Sequence, residues 1–168
     1  MTPPQTPPMT PPMTLNEEPV RIREYRASDF ARICEIDRLC FSDAIAYSPE
    51  EVALGLGQPG AFCFVAEQEE SVVGFVLACV ARRQLGHIIT IDVLDSFRRR
   101  HLGGRLMERA EQRLSEKGVR RVVLEVDLRN DAALRFYEGR GYVAKRRLPH
   151  YYADGADAYL MEKSLPGS

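Results

Sequence analysis

Asp92-Val93-Leu94-Asp95-Ser96-Phe97-Arg98-Arg99-Arg100-His101-Leu102-Gly103-Gly104-Arg105-Leu106-Met107 carries the densest chemistry of a 168-residue chain. An apolar, β-branched run over residues 86–94 ends here, and a short basic loop follows. A helix then begins, with Leu102, Leu106, Ala110 and Leu114 recurring on one side through residue 117. A helix start offers free N–H donors and the positive end of the helix dipole. Gly103 and Gly104 let a ligand approach those donors, and arginines flank them. The arrangement suits a pyrophosphate. It is neither a P-loop, since no Gly-Lys-Ser/Thr follows, nor a GxGxxG turn. Two other readings stand beside it: a basic helix start on a solvated face, and a nucleic-acid surface. Residues 95–121 hold nine basic and four acidic side chains. Glu108, Glu111 and Glu116 on the same helix account for much of that charge by i,i+4 pairing.

Upstream, residues 20–25 alternate as an edge strand. Ser28 or Asp29 can cap a helix running to about Cys40. Ser48-Pro49-Glu50-Glu51 is a capping box that starts a short second helix. Residues 61–67 and 72–80 form a hairpin about the polar turn Gln68-Glu69-Glu70-Ser71, and residues 86–94 make a third strand. Downstream, Gly118 is the expected stop of the long helix. Residues 119–126 read as a strand, Asn130 or Asp131 opens a helix through Tyr137, and residues 142–148 and 157–165 close the chain as a strand pair. Three adjacent strands followed by an αβα unit imply a mixed α/β fold, with helices on both faces of one sheet.

Seven of the 11 prolines lie in the first 19 residues, six of them within three TPPx tetrapeptides. Proline fixes φ and removes a donor, so residues 1–19 are expected to be an extended, disordered tail and residues 20–168 one domain. A ligand for a proline-recognising domain is the alternative for the tail. The formal net charge is −1, and the longest apolar stretch, residues 72–81, is half of a spanning helix. Neither a nucleic-acid nor a membrane partner is expected. Cys34, Cys40, Cys63 and Cys79 follow no CxxC or disulfide-scaffold spacing, and His87, His101 and His150 follow no metal-ligand spacing. Reduced thiols in a cytoplasm and no metal are the expectation.

Arg98-x-x-His101-x-Gly103 between strand and helix resembles the acetyl-CoA motif Q/R-x-x-G-x-G/A of the GNAT superfamily of N-acetyltransferases. Leu124-Glu125-Val126 with Asn130, Ala132-Ala133, Phe136-Tyr137 and Gly141-Tyr142 resembles a second signature of that family. Tyr151-Tyr152-Ala153-Asp154-Gly155, with Asp157-Ala158-Tyr159, is similar to the tail of its members that act on protein N-termini. The resemblance spans residues 20–165. It implies a mostly antiparallel mixed sheet, acetyl-CoA as co-substrate and a protein or peptide N-terminal α-amine as acceptor. Residues Ile91, Asp92 and Val93, Arg98, the amides from Arg99 and Arg100 through His101, Leu102, Gly103 and Gly104, and Asn130 and Tyr137 would hold the co-substrate. His101 stands where the family motif has its first glycine.

Acetyl transfer needs a free amine and a proton donor for the leaving thiolate. About a tenth of an α-amine of pKa near 8 is free at pH 7, against ~0.04% of a lysine. Glu125, on the strand face opposite Val122, Leu124 and Val126, is a candidate acceptor of the amine proton. By resemblance Glu125 is the base and Tyr137, twelve positions on, the acid. His87 is a rival base. The resemblance also implies that Tyr151 and Tyr152 grip the acceptor, with Phe41 and Tyr47 lining the same cleft. Alternative functions are acetylation of a small-molecule amine or lysine, and a CoA-binding module without turnover.

Overall fold

The computed structural model describes residues 18–167, so the expected tail lies, through residue 17, outside the described residues. Seven strands make one sheet in the order β1-β2-β3-β4-β5-β7-β6. They are β1 Arg21–Glu24, β2 Ala61–Gln68, β3 Ser71–Arg82, β4 Leu85–Val93, β5 Arg121–Asp127, β6 Val143–Leu148 and β7 Ala158–Ser164. The helices are α1 Phe30–Cys40, α2 Pro49–Leu56, α3 Leu102–Glu116 and α4 Asp131–Gly139. Every neighbouring pair of strands is antiparallel except β4–β5. The expected mixed, mostly antiparallel sheet is the one observed.

The central strands β2 and β3 are buried on both faces, which is why their sequences read as nearly unbroken apolar runs. On one face Phe64, Ala66, Val76 and Ala78 meet Leu106, Ala110 and Leu114 of α3. On the other, Cys63, Val65, Phe75 and Leu77 meet Ile33 and Ile36 of α1 and Val52 of α2. Much of the basic excess on α3 has structural work: Arg109 stacks on Phe64, and Arg113 stacks on the same ring and pairs with Glu24 at 2.5 Å. The helix stops at Lys117, with Gly118 in the left-handed region at φ +79°.

Two irregularities of β4 make room for a site. The register with β3 jumps from Ala78↔Ile88 to Leu77↔Thr90, leaving Ile89 as an extra residue. The bulge reverses the alternation of the strand. Ile88 packs into the α3-side core, while Thr90 and Asp92 lie opposite Leu77 and Phe75 of the α1-side core. Secondly, β5 pairs with β4 only at Leu85↔Arg121, Gly86↔Val122 and His87↔Val123. Beyond that point the strands part, and residues 88–93 have no strand partner on their β5 side.

Candidate active site

The gap between β4 and β5 opens into a cavity of about 720 Å³. Its walls are β4 from Ile88 to Val93, β5 from Leu124 to Asp127, the loop into α3, one side of α4 and two aromatic loops. Sixteen of the eighteen residues expected to form a site line it. Arg100 and His87 do not. Arg100 lies over the Phe97 ring, 5.1 Å from its centroid, and His87 sits behind Glu125.

At one end is the helix start. Arg99 and His101 both have positive φ, 62° and 59°, and His101 precedes the first turn of α3. The left-handed backbone at His101 explains the glycine that the motif has there: L side chains adopt it at a cost, histidine less reluctantly than most. The first main-chain bond of α3 runs from Arg105 N–H to His101 C=O at 3.0 Å. The N–H groups of Leu102, Gly103 and Gly104 therefore precede it and are available to a ligand. A Cβ on Gly103 would stand 3.4 Å from the Phe136 ring, so the bare backbone keeps this stretch of wall open. Arg98 is anchored by the Val93 carbonyl at 3.1 Å and by Asp95 at 2.8 Å. Asn130 caps α4, its Oδ1 accepting the Ala133 N–H at 3.1 Å.

In the middle, Glu125 and the His87 Nε2 are 2.7 Å apart, at side-chain exposures of 19% and 28%. Burial opposes charging the imidazole, but the Cys79 sulfur and the Glu125 carboxylate beside it outweigh burial. The His87 pKa is pushed up to about 9. Two residues read from sequence as rivals are thus one ion pair. Tyr137 forms the α4 wall, edge-on to Phe136 and Tyr142. Burial raises its phenol pKa, with the Asp92 carboxyl adding to the effect, so it keeps its proton at neutral pH.

At the other end, Phe41 and Tyr47 from the α1–α2 segment face Tyr151 and Tyr152 from the β6–β7 loop. The last two rings stack edge-on, 5.0 Å between centroids. Burial raises the phenols of Tyr47, Tyr151 and Tyr152, and each also feels the Glu125 charge. The β6–β7 loop is tied down by Arg129, which sequence reading passed over. Its guanidinium binds Asp127 at 2.6 Å and Asp154 at 2.9 Å. Also unremarked was Asp37, an acid at i+4 from Ile33 on the apolar side of α1, which receives the Tyr47 N–H at 2.6 Å. That periodicity was the signal that could have found it. Asp92, expected to face a co-substrate, turns its side chain toward Asp37, so any such contact falls to its backbone. Among the described residues no cluster of three or more His, Cys, Asp or Glu could hold a metal, and no helix is long and apolar enough to cross a membrane.

Residues 30–142 match the model of the acetyltransferase (GNAT) family. The chain is 33% identical over 157 residues to an N-alpha-acetyltransferase of Sulfurisphaera tokodaii, covering 86% of this chain and 93% of that protein. The structure of Ard1 from Thermoplasma volcanium superposes with a TM-score of 0.80 at 29% identity, over 88% of this chain and 98% of that one. The ribosomal-protein-S18-alanine N-acetyltransferase of Escherichia coli shares the fold at a TM-score of 0.78 and 24% identity, over 89% and 96% of the two chains. The parted β4–β5 pair, the glycine-bearing start of α3 and these matches agree: the chain belongs to the acetyltransferase (GNAT) family and is an acetyltransferase.

Proposed function

We propose that the enzyme transfers acetyl from acetyl-CoA to the N-terminal α-amine of a protein or peptide, by direct attack within the β4–β5 gap. The observation that carries this reading is the single cavity that joins a phosphate-type helix start, the Glu125–His87 pair and a cage of four aromatic rings. Its residues fit the co-substrate. The Leu102, Gly103 and Gly104 amides, with Arg98 and Arg99, suit the pyrophosphate. The β5-side edge of residues 88–93, free of a strand partner, suits the amides of pantetheine. Acetyl-CoA supplies the activated thioester acyl group.

The protein's own groups then manage protons. The aromatic cage orients the acceptor chain end. At pH 7 His87 is protonated, so the proton-accepting atom of the pair is a Glu125 carboxylate oxygen. The amine nitrogen turns acidic as it bonds to the acyl carbon, and a carboxylate is then base enough. Tyr137 donates its phenol proton to the departing sulfur, which leaves as a thiol. An α-amine suits this apparatus better than a lysine because more of it is already free. The S. tokodaii relative's name supports the same acceptor.

Thiol release from acetyl-CoA in the presence of peptides with free or blocked α-amines tests the proposal. Turnover should need the free α-amine and ignore internal lysines. Turnover on blocked, lysine-containing peptides would move the acceptor to the lysine class.

A further inference from the structure

Two carboxyl groups meet behind the cleft wall. Asp37 on α1 is fully buried, and Asp92 on β4 is 3% exposed. Their side chains are hydrogen-bonding neighbours. Asp37 Oδ2 accepts the Tyr47 N–H at 2.6 Å, and Asp92 Oδ2 accepts the Thr90 hydroxyl at 3.2 Å. The second oxygen of each, Oδ1, is buried and has no hydrogen-bond donor among the described residues. Ionised carboxylates only accept hydrogen bonds, so two of them cannot bond to each other. One proton held between the two groups makes one carboxyl a donor to the other. Like charges in so dry a place resist double ionisation for the same reason.

We propose that Asp37 and Asp92 share one proton and form a positioning pair that pins residues 41–47, the Phe41–Tyr47 wall of the acceptor end, against β4. The proposal rests on reading that wall as the acceptor side and extends the reading to its pH range. The geometry makes the pair a joint between three pieces: α1 through Asp37, the α1–α2 segment through the Tyr47 N–H, and the co-substrate strand through Asp92. Tyr47 also reaches β4 directly, its hydroxyl donating to the Ile89 carbonyl at 3.4 Å.

The other titratable groups felt by the pair do not replace the proton. Glu51 faces it from α2 and adds negative charge. Arg98 faces Asp92 from the loop after β4 and favours its ionised form, but is itself held by Asp95 and the Val93 carbonyl. Cys34 and Cys40 of α1, the Tyr47 phenol and the Tyr137 phenol of α4 are neutral near pH 7, each raised chiefly by burial. Burial likewise raises both aspartates, Asp92 well above the usual carboxylate range. As pH rises and the shared proton leaves, two adjacent negative charges push α1 from β4, and the wall loosens.

Hydrogen-exchange protection of residues 41–47 and the acceptor-peptide KM, both followed from pH 6 to about 9.5 in the full chain and in Asp37→Asn, test the proposal. In Asp37→Asn the side-chain carbonyl still receives the Tyr47 N–H, and the amide donates to Asp92, so the pin holds without a titrating proton. In the parent, protection should fall and peptide KM should rise by about tenfold per pH unit once the pair ionises, while Asp37→Asn shows neither change. Amine ionisation is common to both proteins and cancels. Asp37→Ala, with neither bond, should show low protection at every pH. Identical pH courses for the parent and Asp37→Asn would overturn the pair, even if peptides are acetylated normally. The expected exchange pattern without acetylation of any peptide α-amine would sustain the pair and sink the acceptor reading instead.

Discussion

His101 is the residue at which chain and family motif part, and its backbone says why. A φ of 59° is held by a β-carbon-bearing side chain in the place where the motif has glycine. His101→Gly should raise unfolding free energy by about 1 kcal/mol, the relieved left-handed strain exceeding the added freedom of the unfolded chain. Urea titration checks the sign, and acetyl-CoA affinity should be kept or improved. At the reacting centre, Glu125→Gln should lower kcat about 10²–10⁴-fold at pH 7 if the carboxylate takes the amine proton. His87→Gln, which leaves the carboxylate in place, should lose less. Equal losses in the two variants would put the accepted proton on the imidazole. Tyr137→Phe should depress kcat with little change in acetyl-CoA affinity. Residue types were legible in advance because chemistry selects them: an arginine–glycine helix start, a strand glutamate, a helix tyrosine. The 2.7 Å contact between Glu125 and His87 was not. It joins side chains 38 positions apart and depends on how two parallel strands pair.

Among elements, β4 and the β6–β7 loop decide how the site is shaped. The run Gly86-His87-Ile88-Ile89-Thr90-Ile91 reads as regular β sequence, and nothing in its periodicity marks Ile89 as the bulged residue. The bulge is a matter of register against β3, and it is what turns Asp92 toward α1. Helix limits were more legible, because caps are local chemistry: Ser48 accepts the Glu51 N–H and Asn130 accepts the Ala133 N–H, as their positions foretell. The β6–β7 loop holds Tyr151 and Tyr152 in place through Arg129, bonded to Asp127 and Asp154. Arg129→Ala should free that loop. Peptide KM should rise about threefold or more while acetyl-CoA KM stays near the parent value, a modest effect because the bridge is on the surface. A parallel rise in both KM values would mean that Arg129 supports the whole cleft.

Over the whole molecule, the paired charges shape stability against pH. Asp29, Glu67 and Asp127 have carboxyl pKa values held down, chiefly by hydrogen bonds from Arg23 and Arg129. Groups depressed by folding stabilise above their unfolded pKa near 4, and that share is lost as pH falls. His87 and Asp92 are raised, so their share is complete below the unfolded values near 6.5 and 4 and is lost as pH climbs through the folded ones, about 9 for His87. Denaturant titrations should therefore find maximum stability at about pH 4 to 5, with a decline toward pH 9 that shrinks in His87→Gln. A stability that keeps rising to pH 9 would contradict the protonated His87–Glu125 pair. The fold's layers were readable from the order of elements, since doubly buried and alternating strands leave different patterns. The parting of β4 from β5 was not, and the site exists because of it. The most direct measurement of the central claim is a crystal structure with CoA joined covalently through an acetyl bridge to a peptide α-amine. The pyrophosphate should lie on the Leu102, Gly103 and Gly104 amides. The bridged nitrogen should be within direct or one-water reach of Glu125, with the sulfur side at Tyr137 and the peptide between Phe41, Tyr47, Tyr151 and Tyr152. A peptide leaving the gap by another route, or a bridge remote from Glu125, would contradict the account.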